Sequence, residues 1–203
     1  MSIRLSPRAL SSADAILLNA TSKPAPALLS GVKSLAAAAA LIGLCTAGAS
    51  AHVTLEQRQA PVGSTYKAVF QIGHGCEGKP TTRLRVRIPE GVIAVKPQPK
   101  AGWTVEKVRG AYARAYDYYG TPMTEGVREI VWEGGSLADD EYDEFVLRAY
   151  LTTELKAGAS LYFPVVQECP DGAVERWIEI PAAGKGADDY EQPAPGLTLL
   201  PKR

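Results

Sequence analysis

The chain has 203 residues, with 22 basic and 22 acidic side chains that give a formal net charge of zero. No basic tract stands out in the sequence. Both observations argue against a nucleic-acid partner.

Residues 1–51 have the layout of a cleaved export signal. Lys33 supplies a positive end, residues 35–44 form an apolar run, and Ala49 and Ala51 make an Ala-x-Ala step. We expect cleavage after Ala51 and a periplasmic mature chain.

No membrane anchor is expected in the mature chain. The apolar run of the leader is shorter than the roughly 20 residues that a membrane-spanning helix needs, and no second long apolar stretch follows. Cys45 does not predict a lipid anchor, because Leu44 stands before it where a lipoprotein signal needs a small residue. The mature chain is therefore expected to be soluble.

The mature chain begins at His52 and carries 18 basic and 21 acidic side chains, a net charge of −3. Its length suits one domain with a sizeable core. We expect this domain over residues 52–181, followed by a tail over residues 182–203 that is rich in Pro, Gly and acidic residues.

Short runs with alternating apolar and polar residues predict strands that each bury one face. In chain order, these runs cover residues 66–72, 83–88, 126–132, 144–151, 161–167 and 174–180. Turn-forming clusters lie between them, and no mature segment has a convincing helical pattern. The sequence predicts an all-β antiparallel β-sandwich of immunoglobulin or cupredoxin type, with a closed barrel as the second choice.

Two of the three cysteines, Cys76 and Cys169, remain after cleavage. An even pair in an exported chain predicts a disulfide. The rival interpretation is a thiolate pair that binds a metal, although neither cysteine lies in a C-x-x-C motif.

His52 becomes a chelating residue if it is the first residue of the mature chain. Its α-amine, its imidazole and the next backbone group can close rings on one Cu(II), the divalent ion that nitrogen-rich sites bind most tightly. If cleavage followed Ala49 instead, a histidine in third place would also chelate Cu(II). The alternative is that His52 is an ordinary first residue with no ligand role.

Several linked motifs make the chain similar to the YcnI-like family of exported copper-binding domains. The motifs include His52-Val53-Thr54-Leu55, Gly73-His74-Gly75-Cys76-Glu77-Gly78, Pro99-Lys100-Ala101-Gly102-Trp103, Phe163-Pro164-Val165-Val166-Gln167-Glu168-Cys169 and Arg176-Trp177-Ile178-Glu179-Ile180-Pro181. The resemblance covers about residues 51–200.

The resemblance implies a β-sandwich that binds Cu(II) through an N-terminal histidine, an acidic side chain and a nearby tryptophan. His52 matches the terminal ligand and Trp177 matches the site tryptophan. Glu77 is the best match to the acidic ligand, and Glu56 is the alternative. The implied function is copper trafficking or homeostasis outside the cytoplasm, as a metallochaperone or storage protein. Its partners would be the copper ion and another periplasmic copper chaperone or a copper transporter.

His74, the other histidine of the mature chain, leaves further functions open. With His52 it could form a two-histidine site, so a copper-dependent redox enzyme is the alternative to a non-enzymatic copper carrier. His74 could instead support its loop or orient Glu77 from outside the site. A third hypothesis is an interaction module in which the terminal histidine has no role.

The remaining aromatic residues are expected to be structural. Trp103 and Trp132 are interpreted as core residues. Tyr112, Tyr116, Tyr118 and Tyr119 are interpreted as strand residues that pack on a sheet, with partner binding as the alternative.

Overall fold

In the computed structural model, residues 52–203 are described, and the predicted leader with Cys45 lies outside the described residues. Twelve strands occur in this part of the chain. In order they are β1 (Thr54–Leu55), β2 (Gln59–Pro61), β3 (Ser64–Ile72), β4 (Thr81–Arg87), β5 (Val92–Pro97), β6 (Thr104–Tyr118), β7 (Thr121–Leu137), β8 (Asp143–Leu151), β9 (Ser160–Tyr162), β10 (Val165–Glu168), β11 (Val174–Trp177) and β12 (Gly196–Leu200). The only helical pieces in residues 52–203 are short 3-10 turns at Pro170–Gly172 and Ala187–Asp189.

The strands form two main sheets, which confirms the predicted all-β sandwich. One sheet has the order β1-β3-β8-β5 and the other has the order β11-β10-β4-β7-β6. All pairings within these two sheets are antiparallel. A third sheet, β2-β12-β9, includes a parallel pairing between β2 and β12.

The alternation in β4 shows how the sequence builds a sandwich layer. Leu84 and Val86 are fully buried, whereas Arg83 and Arg85 lie on the other face and form ion pairs with carboxylates of neighbouring strands. A residue pattern with a period of two therefore separates the core from the outer face. The large buried side chains between the sheets include Trp132, Phe70, Phe145 and Phe163.

The predicted disulfide between Cys76 and Cys169 is present, with 6.0 Å between the two Cα atoms. Cys76 follows β3 of the four-stranded sheet, and Cys169 follows β10 of the five-stranded sheet. The bond therefore joins the two layers of the sandwich.

The predicted run 161–167 is divided into two strands in the structure. Residue 164 is a proline, which has no N–H to donate to a ladder, and the chain passes from β9 in the third sheet to β10 in the five-stranded sheet on either side of it.

The predicted tail over residues 182–203 is partly built into the fold. Its strand β12 pairs with β2 and β9, and Leu197 and Leu199 are buried in the core. The apolar residues near the end of the chain thus form a strand, and the boundary expected at residue 181 does not separate them from the sandwich.

The two tryptophans and two of the four tyrosines are packed in the interior, as predicted. Trp132 is fully buried, and Trp103 packs on the same core beside Phe145. In the stretch, Tyr112 and Tyr116 are buried in a second, smaller cluster, whereas Tyr119 is 73% exposed.

Candidate metal centre

His52 lies immediately before the edge strand of the four-stranded sheet. Two residues later β1 begins, and it pairs with β3 through Thr54 and Leu55. Val53 and Leu55 point into the core, which anchors the chain on either side of Thr54. His52 itself is half-buried.

The imidazole of His52 has an enclosed nitrogen. Its Nε2 atom is buried and has no hydrogen-bond partner within residues 52–203. The other nitrogen, Nδ1, is the one that closes a six-membered ring with the α-amine of the same residue. With Nε2 turned inward, chelation of a metal by His52 would use Nδ1 and the amine.

Trp177 contacts both histidines of residues 52–203. It ends β11, the edge strand of the five-stranded sheet, and is only 4% exposed. The rings of His52 and His74 each lie 5.8 Å from the indole, measured between ring centroids, in edge-on orientations. We call His52, His74 and Trp177 the histidine–tryptophan cluster.

This cluster lies where edge strands of the two sheets meet. His52 and His74 flank strands of the four-stranded sheet, and Trp177 belongs to the five-stranded sheet. The sandwich therefore brings together residues that are far apart in the sequence.

The loop that carries His74 is tied down at several points. The nitrogen Nδ1 of His74 lies 2.6 Å from the carbonyl oxygen of Gly75. A carbonyl only accepts, so Nδ1 is the donor in this bond. The N–H of Gly75 donates to a carboxylate oxygen of Asp139 over 2.9 Å. Cys76 then fixes the loop to β10 through the disulfide.

Gln167 connects the cluster from inside the sandwich. Its side chain is fully buried. The side-chain amide donates to the carbonyl oxygen of His74 and to the hydroxyl of Thr81, each over 2.6 Å, and accepts from the indole N–H of Trp177 over 3.2 Å. The sequence analysis assigned no role to this residue. Residues two apart in a strand share a face, so the position of Gln167 two residues after the core residue Val165 could have indicated a buried polar group.

The two candidate acidic ligands are both solvent-exposed. Glu77 lies in the turn between Cys76 and Lys79 with a positive φ of 52°. Glu56 directly follows β1, and its backbone N–H donates to Val69. Within residues 52–203, neither carboxylate forms a hydrogen bond or an ion pair with the histidine–tryptophan cluster. A different carboxylate, that of Asp139, accepts from the N–H of Gly75, the residue after His74.

A cavity of about 270 Å³ adjoins His52. It lies between the start of β1, the strand β12 and the loop that precedes β12, and Tyr162, Asp188, Pro193 and Thr198 are among its lining residues. His52 thus borders an open space on one side and the indole of Trp177 on the other.

Side chains alone do not gather a complete metal site in the described residues. Within residues 52–203, no group of three or more His, Cys, Asp or Glu side chains is close enough to hold a metal ion.

The fold and this cluster define a class of protein: an immunoglobulin-like β-sandwich with an inter-sheet disulfide and a histidine–tryptophan cluster at the edges of its two sheets. A similar solved structure is that of an uncharacterized protein from Nocardia farcinica, whose description states that it has an immunoglobulin-like fold. The two chains are 24% identical, the TM-score is 0.55, and the match covers 73% of this chain and 98% of that chain.

The chain belongs to the family described as a domain of unknown function, DUF1775, which matches residues 52–199. No curated protein is significantly similar to the chain in sequence. Across residues 52–203, no helix is long and apolar enough to cross a membrane.

Proposed function

We propose that this protein binds Cu(II) in the periplasm and serves copper trafficking or homeostasis, as a metallochaperone or a storage protein. The observation that carries the proposal is the packing of His52 and His74 on the same indole at the amino-terminal edge of the sandwich. Cleavage after Ala51 would add the α-amine of His52 to these two imidazoles.

The available donor atoms favour Cu(II) over Cu(I). Amine and imidazole nitrogens are ligands that Cu(II) binds tightly, whereas Cu(I) prefers thiolates and thioethers. Cys76 and Cys169 are joined in the disulfide, so neither offers a thiolate. The one methionine of the mature chain, Met123, packs against the tyrosine cluster around Tyr112 and Tyr116.

Trp177 would act as a wall of the site. A buried indole beside the two imidazoles shields the metal from solvent on that side, and an aromatic face attracts a nearby cation. The family resemblance supports Glu77 as the acidic ligand, and its exposed turn would have to bring the carboxylate to the two imidazoles, because these three side chains are not grouped in the structure.

The test is a Cu(II) titration with electron paramagnetic resonance on two forms of the protein. One form begins at His52, and the other carries one extra residue before it. The proposal expects one tight copper in the first form, and loss of that copper or a changed spectrum in the second, because an added residue converts the amine of His52 into an amide. Equal behaviour of the two forms, or unchanged binding in His52→Ala, would favour the interaction-module hypothesis instead.

The placement of His74 favours a second coordination scheme. Because His74 contacts the same indole as His52, two imidazoles could share the metal, as the redox-enzyme alternative requires. His74→Ala would then change the nitrogen couplings in the spectrum, and oxygen consumption with ascorbate would reveal catalytic turnover. The proposed carrier shows little turnover in the same assay.

A further inference from the structure

Gln167 is a buried polar residue that forms hydrogen bonds with two parts of the histidine–tryptophan cluster, the backbone of His74 and the indole of Trp177. It lies on β10 in the five-stranded sheet and is fully buried. An uncharged polar side chain in a core costs free energy unless its atoms find partners. Gln167 finds three partners, on three different segments of the chain.

The partners leave the amide of Gln167 one possible orientation. The carbonyl oxygen of His74 can only accept a hydrogen bond, so the NH₂ end of the amide must face it. The indole nitrogen of Trp177 can only donate, so the oxygen end must face it. Turning the amide over would break both bonds at once.

The two bonds join groups from opposite layers of the sandwich. His74 follows β3 of the four-stranded sheet, and Trp177 ends β11 of the five-stranded sheet. The disulfide joins the same two segments nearby, since Cys76 lies two residues after His74 and Cys169 lies two residues after Gln167. Unlike the disulfide, Gln167 also bonds directly to the indole of Trp177.

We propose that Gln167 is a positioning residue that sets the distance between the indole of Trp177 and the His74 segment, and so prepares the site for its metal. The inference rests on the proposed function for the identity of the metal as Cu(II). Partners that orient a metal site from outside typically change metal affinity by about 10- to 100-fold when they are removed.

Two variants separate positioning from general stability. Gln167→Met keeps a side chain of similar length and removes all three hydrogen bonds. Thr81→Val is the matched control, because it removes one buried partner of Gln167 and leaves the bonds to His74 and Trp177 in place. Gln167→Glu is a partial rescue, since a carboxyl oxygen can still accept from the indole. If Gln167→Met fails to fold, the same measurements can be made on Gln167→Glu.

The first measurement is made without copper. The indole N–H of Trp177 gives a resonance in a proton–nitrogen correlation spectrum, which Trp177→Phe identifies, and the indoles of Trp103 and Trp132 serve as references. Gln167→Met is expected to shift this resonance and to speed its exchange with solvent, because the N–H loses its acceptor. Thr81→Val leaves it in place, and Gln167→Glu restores most of the protection.

The second measurement is the Cu(II) dissociation constant and the paramagnetic spectrum of each folded variant, with its unfolding midpoint. Gln167→Met is expected to weaken binding by about 10- to 100-fold and to change the spectrum, whereas Thr81→Val stays within about twofold of the wild type even if its midpoint falls.

Either of two results would overturn the inference. One is wild-type affinity and spectrum in Gln167→Met. The other is an equal loss of affinity in Thr81→Val, which would mean that stability alone is responsible. If the wild type binds no copper, the proposed function fails, and the indole resonance still decides whether Gln167 positions Trp177.

Discussion

The proposed copper site would have a defined pH dependence, set by the α-amine of His52. An amine binds a metal only after it loses its proton, so protons and copper compete for the same nitrogen. Copper must displace one proton from the amine at any pH below the ordinary pKa of an α-amine. The apparent Cu(II) affinity therefore falls about tenfold for each unit by which the pH is lowered.

We therefore expect the Cu(II) affinity of the form that begins at His52 to fall steadily between about pH 8 and pH 6. Competition titrations at several pH values measure this slope. An affinity that stays constant over this range would show that the amine is not a ligand.

Tyr66 gives the fold a separate, alkaline sensitivity. Burial, and then the nearby charge of Glu56, raise the pKa of its hydroxyl above the ordinary value, and the hydroxyl donates to the carbonyl oxygen of Gln57 over 2.7 Å. The unfolded chain therefore ionises this tyrosine at a lower pH than the folded chain. The stabilisation is complete below about pH 10 and is lost as the pH rises further, at about 1.4 kcal/mol per pH unit for one proton.

Tyr66→Phe is expected to lower the free energy of unfolding by about 1 kcal/mol at neutral pH, since it loses one hydrogen bond. Above about pH 10 its stability should decline less steeply than that of the wild type. Urea denaturation at a series of pH values measures both effects. Tyr119→Phe is the control, because that side chain is 73% exposed, and an equal change of slope in this variant would contradict the assignment to Tyr66.

The residues of the candidate site were predictable to different degrees. His52, His74 and Trp177 were singled out from the predicted leader and from the family motifs, and the structure brings them together. No spacing rule could show this proximity, because the three residues come from two sheets. Gln167 and Asp139 were missed as site residues, because their contacts depend on how the His74 loop crosses the sandwich.

At the scale of elements, the loop between β3 and β4 depends on one glycine. A Cβ atom at Gly75 would lie 1.8 Å from the carbonyl oxygen of Lys79. That carbonyl accepts from the N–H of Cys76 and closes the turn. The close approach leaves no room for a side chain at residue 75.

Gly75→Ala is expected to displace this turn and to lower the free energy of unfolding by about 1 to 3 kcal/mol. Gly73→Ala is a control in the same loop, since a Cβ there meets nothing within 4 Å, and it should change stability by less than about 0.5 kcal/mol. Chemical denaturation measures both variants. Equal stabilities would contradict the role given to the turn.

The strands that were predicted and those that were missed differ in how they are buried. Strands with one apolar face, such as β3, β4 and β8, follow the alternation of the sequence. The edge strand β6 was predicted only at its tyrosines, because it is exposed along most of its length and buries only Tyr112 and Tyr116, which leaves little alternation in its sequence. The short strands β1, β2 and β12 depend on pairing partners that are distant in the chain, and local patterns cannot supply them.

At the scale of the molecule, the disulfide is a covalent link between two layers that also meet through packed side chains and the hydrogen bonds of Gln167. It closes a loop of 93 residues. Closing a loop of this length restricts the unfolded chain and stabilises the fold by about 4 to 5 kcal/mol in the chain-entropy model.

The double variant Cys76→Ser, Cys169→Ser is expected to lose about this amount of stability in guanidinium denaturation. The wild type under reducing conditions serves as the control and should match the double variant. A loss below about 1 kcal/mol would show that the layers need no covalent link.

The parallel pairing of β2 with β12 delays the completion of folding until late in synthesis. These strands lie far apart in the described chain, so they cannot meet until β12 has left the ribosome. Contacts between distant segments must overcome a large loop-closure entropy, which places sheet proteins of this type among domains that fold in milliseconds to seconds. Because β12 and His52 line the same cavity, the surroundings of His52 are finished only when this last strand docks.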